Sequence, residues 1–385
     1  MKILGIETSC DETAMSVIEV SGKDKINVLS NVISSQVKLH AKYGGVVPSL
    51  AAREHVKNIK HVFNLALKEA NLPRTVLGKL ADIDLIAVTR GPGLGPALLV
   101  GITFAKTLAW LNKKPLIGVN HMEGHIYSNW LPIRKISKSE ILNSKQIQNS
   151  KFKIQNKNIF PVLNLIVSGG HTELVLMKNH GQYKIVGETV DDAVGEAFDK
   201  VARLLGLGYP GGPAISARAE QFSISNFQFP IKFPRPMINS KNYNFSYSGL
   251  KTSVLYKIKE LENHGIKLTN QVVNELAHAF QEAAIDVLVQ KTMRAAKELK
   301  VKSILLSGGV SANEFLRSEL KKNTTEAGIK YFQPLMEYTT DNATMIAVAG
   351  YFNYLKNNPA LSKKGGASKT PLSGVKMDAN LRFRI

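Results

Sequence analysis

The residues best placed to do chemistry are Asn120-His121-Met122-Glu123-Gly124-His125. Two histidines lie four residues apart, directly after an apolar run from Pro115 to Val119 that reads as a buried strand. A helix starting there turns both imidazoles the same way, one turn apart, close enough to share one metal ion. A metal needs a third ligand, often a carboxylate, and Asp341 in Tyr338-Thr339-Thr340-Asp341-Asn342-Ala343 is a candidate. Asp341 also precedes an apolar helix, so a plain N-cap is the alternative. A zinc protease would carry Glu directly after the first histidine as its general base. Here Met122 stands in that position and Glu123 comes one place later. On a helix that step swings the carboxylate by ~100°, away from a metal-bound water. The protease reading therefore lacks its base.

Four glycine-rich or small-residue turns form a second constellation. They are Thr8-Ser9-Cys10-Asp11, Ser168-Gly169-Gly170-His171, Tyr209-Pro210-Gly211-Gly212-Pro213 and Ser307-Gly308-Gly309-Val310-Ser311-Ala312-Asn313. Three directly follow predicted strands. Glycine permits positive φ and offers bare N–H groups to anionic oxygen, so the four together point to a nucleotide or phosphate cleft. Asn313 falls near a helix start, where it either caps the helix or bonds a base or ribose. Asp191, Asp192, Glu196 and Asp199 surround another helix start. Asp191 and Asp192 suit dipole complementation there, while Asp199 lies deeper and could face a ligand. Cys10 has Asp11 and Glu12 beside it, which raise a thiol pKa; it reads as a small turn residue, not a nucleophile.

The elements that must position these groups alternate in type. Lys2–Thr8, Ala14–Val20 and Ile26–Ser34 are predicted strands joined by polar turns. A long amphipathic helix follows from about Ser49 to Ala70, with apolar or small positions at Leu50, Val56, Ile59, Val62, Phe63, Ala66 and Leu67. Asp84–Thr89, a helix over Ala97–Trp110, and Pro115–Val119 complete the first segment. The second segment repeats the pattern with strands Val162–Val167, Glu173–Met177 and Tyr183–Glu188. Helices follow at Asp192–Leu205, Pro213–Gln221, Tyr247–Glu262 and Gln271–Leu299, then strand Ser303–Leu306, helix Ala312–Lys321, strand Ile329–Gln333 and helix Asn342–Leu355. Two halves, each opening on a β-meander and continuing β-α-β, predict a duplicated α/β fold with a nucleotide cleft between them. The expected boundaries are 1–133 for the first half, which carries the histidine pair, and 160–355 for the second. Residues 134–159, poor in large apolar side chains, read as a flexible basic insertion, and residues 356–385 as a basic tail.

With 44% hydrophobic and 21% charged residues over 385 positions, the chain has the composition of a soluble globular protein. No apolar run reaches the ~20 residues of a membrane span. The N-terminal Met1-Lys2-Ile3-Leu4-Gly5 reads as a strand, not a signal peptide, and the lone Cys10 excludes an intrachain disulfide. Both features predict a cytoplasmic protein. The net charge of +20 suggests a nucleic-acid partner, although residues 134–159 and 356–385 each contribute +6 of it. A layout of two similar halves around a nucleotide fits the actin-like ATPase and sugar kinase architecture. Kinases of that group usually carry an aspartate in the second phosphate turn. Ser168-Gly169-Gly170-His171-Thr172 lacks one, which disfavours ordinary phosphoryl transfer to a hydroxyl.

Taken in order, these motifs resemble the tRNA N6-adenosine threonylcarbamoyltransferase family, in a bacterial form, once labelled O-sialoglycoprotein endopeptidases. The stretches that carry the resemblance are Gly5 to Thr13, His121 to His125, Val167 to Thr172, Gly195 to Lys200, Gly208 to Pro213, Phe245 to Thr252, Ser307 to Asn313 and Thr340 to Ala343. The resemblance implies an actin-like fold and a bound divalent metal, usually described as iron (Fe2+), with His121, His125 and Asp341 as ligands. It places Val167, Ser168, Gly169, Gly170, His171, Asp199, Gly212 and Asn313 around the adenylate substrate. The implied reaction moves the threonylcarbamoyl group from threonylcarbamoyl-adenylate to the exocyclic amine of the adenine beside the anticodon, in tRNAs reading codons that begin with A. The implied partners are tRNA, a smaller paralogue of the same fold and a small ATPase. Asp11 and Glu12 are candidates to take the amine proton. No family motif covers residues 134–159. The rival readings are a metalloendopeptidase and a non-catalytic nucleotide-binding scaffold.

Overall fold

The computed structural model describes residues 1–22, 25–73, 80–132, 158–222 and 231–358. All but two residues of the predicted insertion 134–159, and all but three of the tail 356–385, lie outside the described residues.

In chain order the first elements are β1 (Lys2–Glu7), β2 (Glu12–Ser21), β3 (Lys25–Ser35), α1 (Val37–His40), α2 (Pro48–Glu69), β4 (Leu85–Gly91), α3 (Gly95–Asn112), β5 (Leu116–Asn120) and α4 (His121–Tyr127). Then come β6 (Val162–Val167), β7 (Thr172–Asn179), β8 (Gln182–Glu188), α5 (Val194–Leu204), α6 (Gly211–Glu220), α7 (Ser248–Asn263) and α8 (Asn270–Glu298). The last are β9 (Ser303–Ser307), α9 (Glu314–Glu326), β10 (Lys330–Phe332) and α10 (Ala343–Asn357).

Two compact units result. The first holds the described residues of 1–40, 46–156 and 334–385. Its sheet runs β3-β2-β1-β4-β5, with the β1–β2–β3 meander antiparallel and β4 and β5 parallel to β1. Alternation along β1 sorts the two faces. Leu4 and Ile6 join the core under α2 and α3, where Ile59, Val62, Phe63, Leu98 and Ile102 pack. Ile3, Gly5 and Glu7 face the other way, toward α10. On α2 the buried stripe is Ala51, His55, Ile59, Val62, Phe63, Ala66 and Leu67. Val56, expected with the apolar positions, is instead exposed. One step along a helix takes it ~100° off the His55–Ile59 line.

Helix α10 belongs to this first unit, although the expected boundary of 160–355 put it with the second half. Its small residues explain the docking. A Cβ on Gly5 would lie 2.2 Å from the Ala343 carbonyl oxygen, and one on Gly350 would lie 2.5 Å from the Ala87 methyl. The helix therefore lies directly on the sheet backbone, a fit that a run of periodic apolar letters does not announce.

The second unit holds the described residues of 41–45 and 157–333. Its sheet runs β10-β9-β6-β7-β8, again an antiparallel meander extended by parallel strands. Read from the meander outward, the two strand orders correspond one to one, so the predicted duplication holds. Leu163, Leu165 and Val167 of β6 pack with Phe198, Tyr247, Phe280 and Leu288 from α5, the α7 entry and α8. Among the described residues no helix is long and apolar enough to cross a membrane.

Candidate metal centre and glycine-turn site

The first site starts where β5 becomes α4. Asn120 caps the helix, its Oδ1 accepting the N–H of Met122 at 2.8 Å and of Glu123 at 3.1 Å. That cap starts the helix at His121, so His121 and His125 share a face, with rings 4.7 Å apart. At the head of α10 the cap is Asn342, whose Oδ1 accepts from Met345 N. Asp341, one residue earlier, is thus not the N-cap. Its Oδ1 lies 3.4 Å from His121 Nε2 and 3.2 Å from His125 Nε2. These three ligand atoms all fall within 4.8 Å of one another. Ligands held about 2.0–2.2 Å from one ion stand roughly 3–3.5 Å apart, so the two His–Asp spacings are those of a set that could hold a single divalent cation.

Behind the pair lies a residue that the sequence reading missed. Glu7, fully buried at the end of β1, places Oε2 3.0 Å from His121 Nδ1. The same oxygen accepts from Thr89 Oγ1 at 2.6 Å, and Oε1 accepts the N–H of Ser9. Ser9 Oγ stands 3.3 Å from His121 Nδ1. A carboxylate behind Nδ1 makes that nitrogen the N–H, so in the neutral ring Nε2 is the bare nitrogen turned toward Asp341. His125 differs: its Nδ1 is buried without a hydrogen-bond partner among the described residues. Burial opposes protonation of His121, but Asp341 and Glu7 outweigh it and hold the imidazole pKa well above its ordinary value. Burial would raise the Asp341 carboxyl; the two histidines overcome it and hold the carboxyl below the usual range. Glu7 falls within the Gly5 to Thr13 motif, but nothing in its spacing ties it to His121, because the two are 114 residues apart.

Glu123 is turned elsewhere. Its Oε2 accepts from Asn353 Nδ2 of α10 at 2.7 Å, inside the fold. Glu123 therefore does not stand in for the protease base that the spacing lacks. Cys10 lies in the turn after β1. Burial, then the Asp11, Asp341 and Glu12 charges, push its thiol far up, in the direction expected of a turn residue and not of a nucleophile. Glu12 is likewise raised, by burial and then by Asp341 and Asp11.

The glycine turns of the second unit gather at the C-terminal ends of β6 and β9. After Val167 the chain reverses through Ser168-Gly169-Gly170-His171, closed by Ser168 N–H donating to the His171 carbonyl at 2.8 Å. Gly169 and Gly170 are exposed, with open space where a Cβ would stand. Two other elements press close to this turn. A Cβ on Gly195 of α5 would come 2.5 Å from the Ser168 carbonyl, and one on Gly308, at φ +88°, 2.3 Å from that of Val167. One turn along α5, Asp199 Oδ1 accepts the Gly211 N–H at 2.7 Å and so caps α6. Burial raises the Asp199 carboxyl above its ordinary pKa.

Asn313 caps α9 through Oδ1, which accepts from Leu316 N at 2.9 Å. Its Nδ2 donates to Ser216 Oγ and Gln281 Oε1, and Ser216 Oγ also bonds the Gly212 carbonyl. The structure thus joins Ser168 to α5, Val167 to the Gly308 turn, Asp199 to Gly211, and Gly212 to Asn313 through Ser216. Of the acidic cluster, Asp191 serves a different helix from the expected one. It accepts from Tyr247 N and Ser248 N at the start of α7 and from the Ser246 and Ser248 hydroxyls. Asp192 pairs with Lys200.

Comparison with known proteins follows the same outline. The model of the family described as tRNA N6-adenosine threonylcarbamoyltransferase matches residues 27–139 and 143–348. A protein of that name from Thermosipho africanus is 44% identical over 97% of this chain and 98% of its own length. One from Thermosipho melanesiensis is 47% identical over 91% and 94%, and one from Persephonella marina 46% over 91% and 90%. The crystal structure of HypF from T. kodakarensis covers 92% of this chain and 48% of its own, with a TM-score of 0.53 and 14% identity. That last likeness is one of fold.

Proposed function

Because the chain belongs to the tRNA N6-adenosine threonylcarbamoyltransferase family, its reaction is transfer of a threonylcarbamoyl group to the N6 amine of a tRNA adenosine, and we propose the following donor, site and course. The donor is threonylcarbamoyl-adenylate. The acceptor is the adenine beside the anticodon in tRNAs reading codons that begin with A. The observation that carries this reading is the His121–His125–Asp341 cluster, braced by Glu7 and lacking a protease base.

His121, His125 and Asp341 would hold one divalent ion, iron(II) by family resemblance, and that ion would supply Lewis acidity toward the threonylcarbamoyl group. The turn Val167 to His171, with Asp199, Gly212 and Asn313, holds the AMP portion. Exposed amides at Gly169 and Gly170 suit a phosphate oxygen. The adenine leaves its stack, as any base must to offer its edge to an enzyme. Its N6 lone pair attacks the carbamoyl carbon, a C–N bond forms, and the carbon–oxygen bond to the phosphate breaks. AMP departs with that electron pair. The N6 proton passes to Asp11 or Glu12, the carboxyls of the turn beside Asp341.

The net charge of +20 suits a polyanionic acceptor. A smaller paralogue of the same fold and a small ATPase act with this chain, in the cytoplasm. The test is reconstitution with labelled threonine, bicarbonate, ATP, the partner proteins, the enzyme that makes the adenylate and an unmodified tRNA, followed by mass spectrometry of nucleosides. Label in N6-threonylcarbamoyladenosine is expected. Absence of that nucleoside, or full transfer and full metal content in His121→Ala, would overturn the reading.

A further inference from the structure

Two buried histidines, His40 and His55, take no part in the metal centre. Their hydrogen bonds run in one direction, dictated by fixed groups at each end. His55 Nε2 lies 3.0 Å from the Cys10 carbonyl, which can only accept, so that nitrogen carries the proton. Nδ1 is then bare and accepts from the Thr13 hydroxyl at 2.7 Å and from Gln36 Nε2 at 3.5 Å. Gln36 Nε2 also donates to the Ala51 carbonyl at 3.3 Å, which fixes the amide and turns Oε1 toward His40. At the far end His40 Nδ1 accepts the backbone N–H of Val47 at 3.3 Å. His40 Nε2 therefore donates to Gln36 Oε1 at 3.1 Å. No donor meets a donor, provided both rings are neutral. Burial, the largest influence on His55, favours that state and lowers its pKa; the Cys10 carbonyl, Glu7 and Asp11 act against it, and His40 acts with it.

The chain of bonds ends on the β1–β2 turn. Three successive carbonyls of this turn are tied back into the first unit. That of Ser9 accepts from Leu94 N at 2.7 Å, that of Cys10 from His55, and that of Asp11 from Gln36 N at 2.9 Å. Of these three bonds, the one to the Cys10 carbonyl comes from a side chain, so changing that side chain cuts it and leaves the backbone donors in place. The same turn carries Asp11, and Glu12 follows it as the first residue of β2.

We propose that His55 is a positioning residue of the transfer reaction: held neutral and oriented through Gln36 by His40, it pins the Cys10 carbonyl and so sets where the Asp11 and Glu12 carboxyls stand. The inference rests on the transferase reading of that turn, and its test has one arm that needs no activity. A glutamine at position 55 reaches as far as Nε2 and can donate to the Cys10 carbonyl; an asparagine reaches only as far as Nδ1. Both are uncharged. Cys10 is the sole cysteine, so thiol alkylation of the full chain reports on this turn specifically.

In His55→Asn, Cys10 is expected to alkylate about tenfold faster than in wild type, because the turn opens locally. The kcat of transfer should fall about tenfold or more with KM for the adenylate within about twofold, the mark of lost positioning. In His55→Gln both quantities should stay within about threefold of wild type, because the donor to Cys10 is kept. His40→Asn keeps the acceptor for Val47 but loses the donor to Gln36. It does not touch the turn, and it should show the same signature in weaker form even if His55→Asn folds poorly. Equal alkylation rates in His55→Asn and His55→Gln, or wild-type rates in both asparagine variants, would overturn the proposal. A wild type that makes no modified nucleoside overturns the transferase reading instead, and the alkylation arm still decides whether His55 holds the turn.

Discussion

The carboxylate of Glu7 lies 3.0 Å from Nδ1 of His121, so a residue on β1 decides which imidazole nitrogen of α4 faces Asp341. Among the described residues nothing equivalent supports His125, whose buried Nδ1 has no hydrogen-bond partner there. The two histidines look alike in sequence and are not equivalent in the fold.

The first prediction concerns that brace. Glu7→Gln removes the negative charge behind His121 and weakens its preference for the Nδ1–H tautomer. Divalent metal affinity should drop ~10–100-fold, the usual cost of losing such a partner. Competition against a chelator measures this without any transfer assay. An unchanged dissociation constant would show that Glu7 serves only the Ser9 and Thr89 bonds.

Gly5→Ala tests the seating of α10. The added methyl would lie 2.2 Å from the Ala343 carbonyl, a backbone atom that cannot rotate away. Overpacking of this kind destabilises by about 1–3 kcal/mol. The urea midpoint should fall, and metal affinity with it, since Asp341 stands two residues ahead of Ala343. A wild-type midpoint would mean that the helix lifts without cost.

Glu123 is predicted to be a structural acid. Its carboxylate accepts from Asn353, and Glu123→Gln keeps an acceptor there. Transfer activity should stay within about threefold of wild type, as expected for a group outside the reacting centre. The wild type should not cleave casein or a glycoprotein. Proteolysis abolished by Glu123→Gln would restore the endopeptidase reading.

Asp199 separates a cap from a ligand-binding role by its pH behaviour. Its folded pKa is raised, chiefly by burial, so the folded state binds a proton more readily than the unfolded one. Stability from this group therefore falls as pH rises from the ordinary carboxyl range through the raised value. Asp199→Asn keeps an oxygen for the Gly211 N–H and does not titrate. It should be at least as stable as wild type at neutral pH, with the difference shrinking toward acid. Asp199→Ala loses the cap and should cost ~1 kcal/mol. If Asp199→Asn is stable yet binds adenylate weakly, the carboxylate contacts the ligand; if both variants bind normally, its role ends at the cap. Equilibrium unfolding across pH, paired with adenylate titration, reads both.

Much of this was legible in the chain itself. The strand and helix order followed from period-2 and period-3.6 patterns and from glycine turns. The His121–His125 spacing, with Met122 between, carried the metal reading and removed the protease base, because helical geometry turns spacing directly into direction. The family motifs extended this to Asp341.

Other relationships needed the tertiary structure, since they join residues far apart in sequence. The acid that orients His121 sits on β1, and only the sheet brings it there. Asp341 read either as a ligand or as a plain cap until Asn342 took the capping role. Asp191 read as the start of one helix and serves another, more than fifty residues on. The letters determined which groups could do chemistry and which periodic elements carry them, because those depend on local backbone geometry. The packing of α10 on Gly5 and the bond from Glu7 to His121 were decided by tertiary structure, because both depend on which distant surfaces are small enough or polar enough to meet.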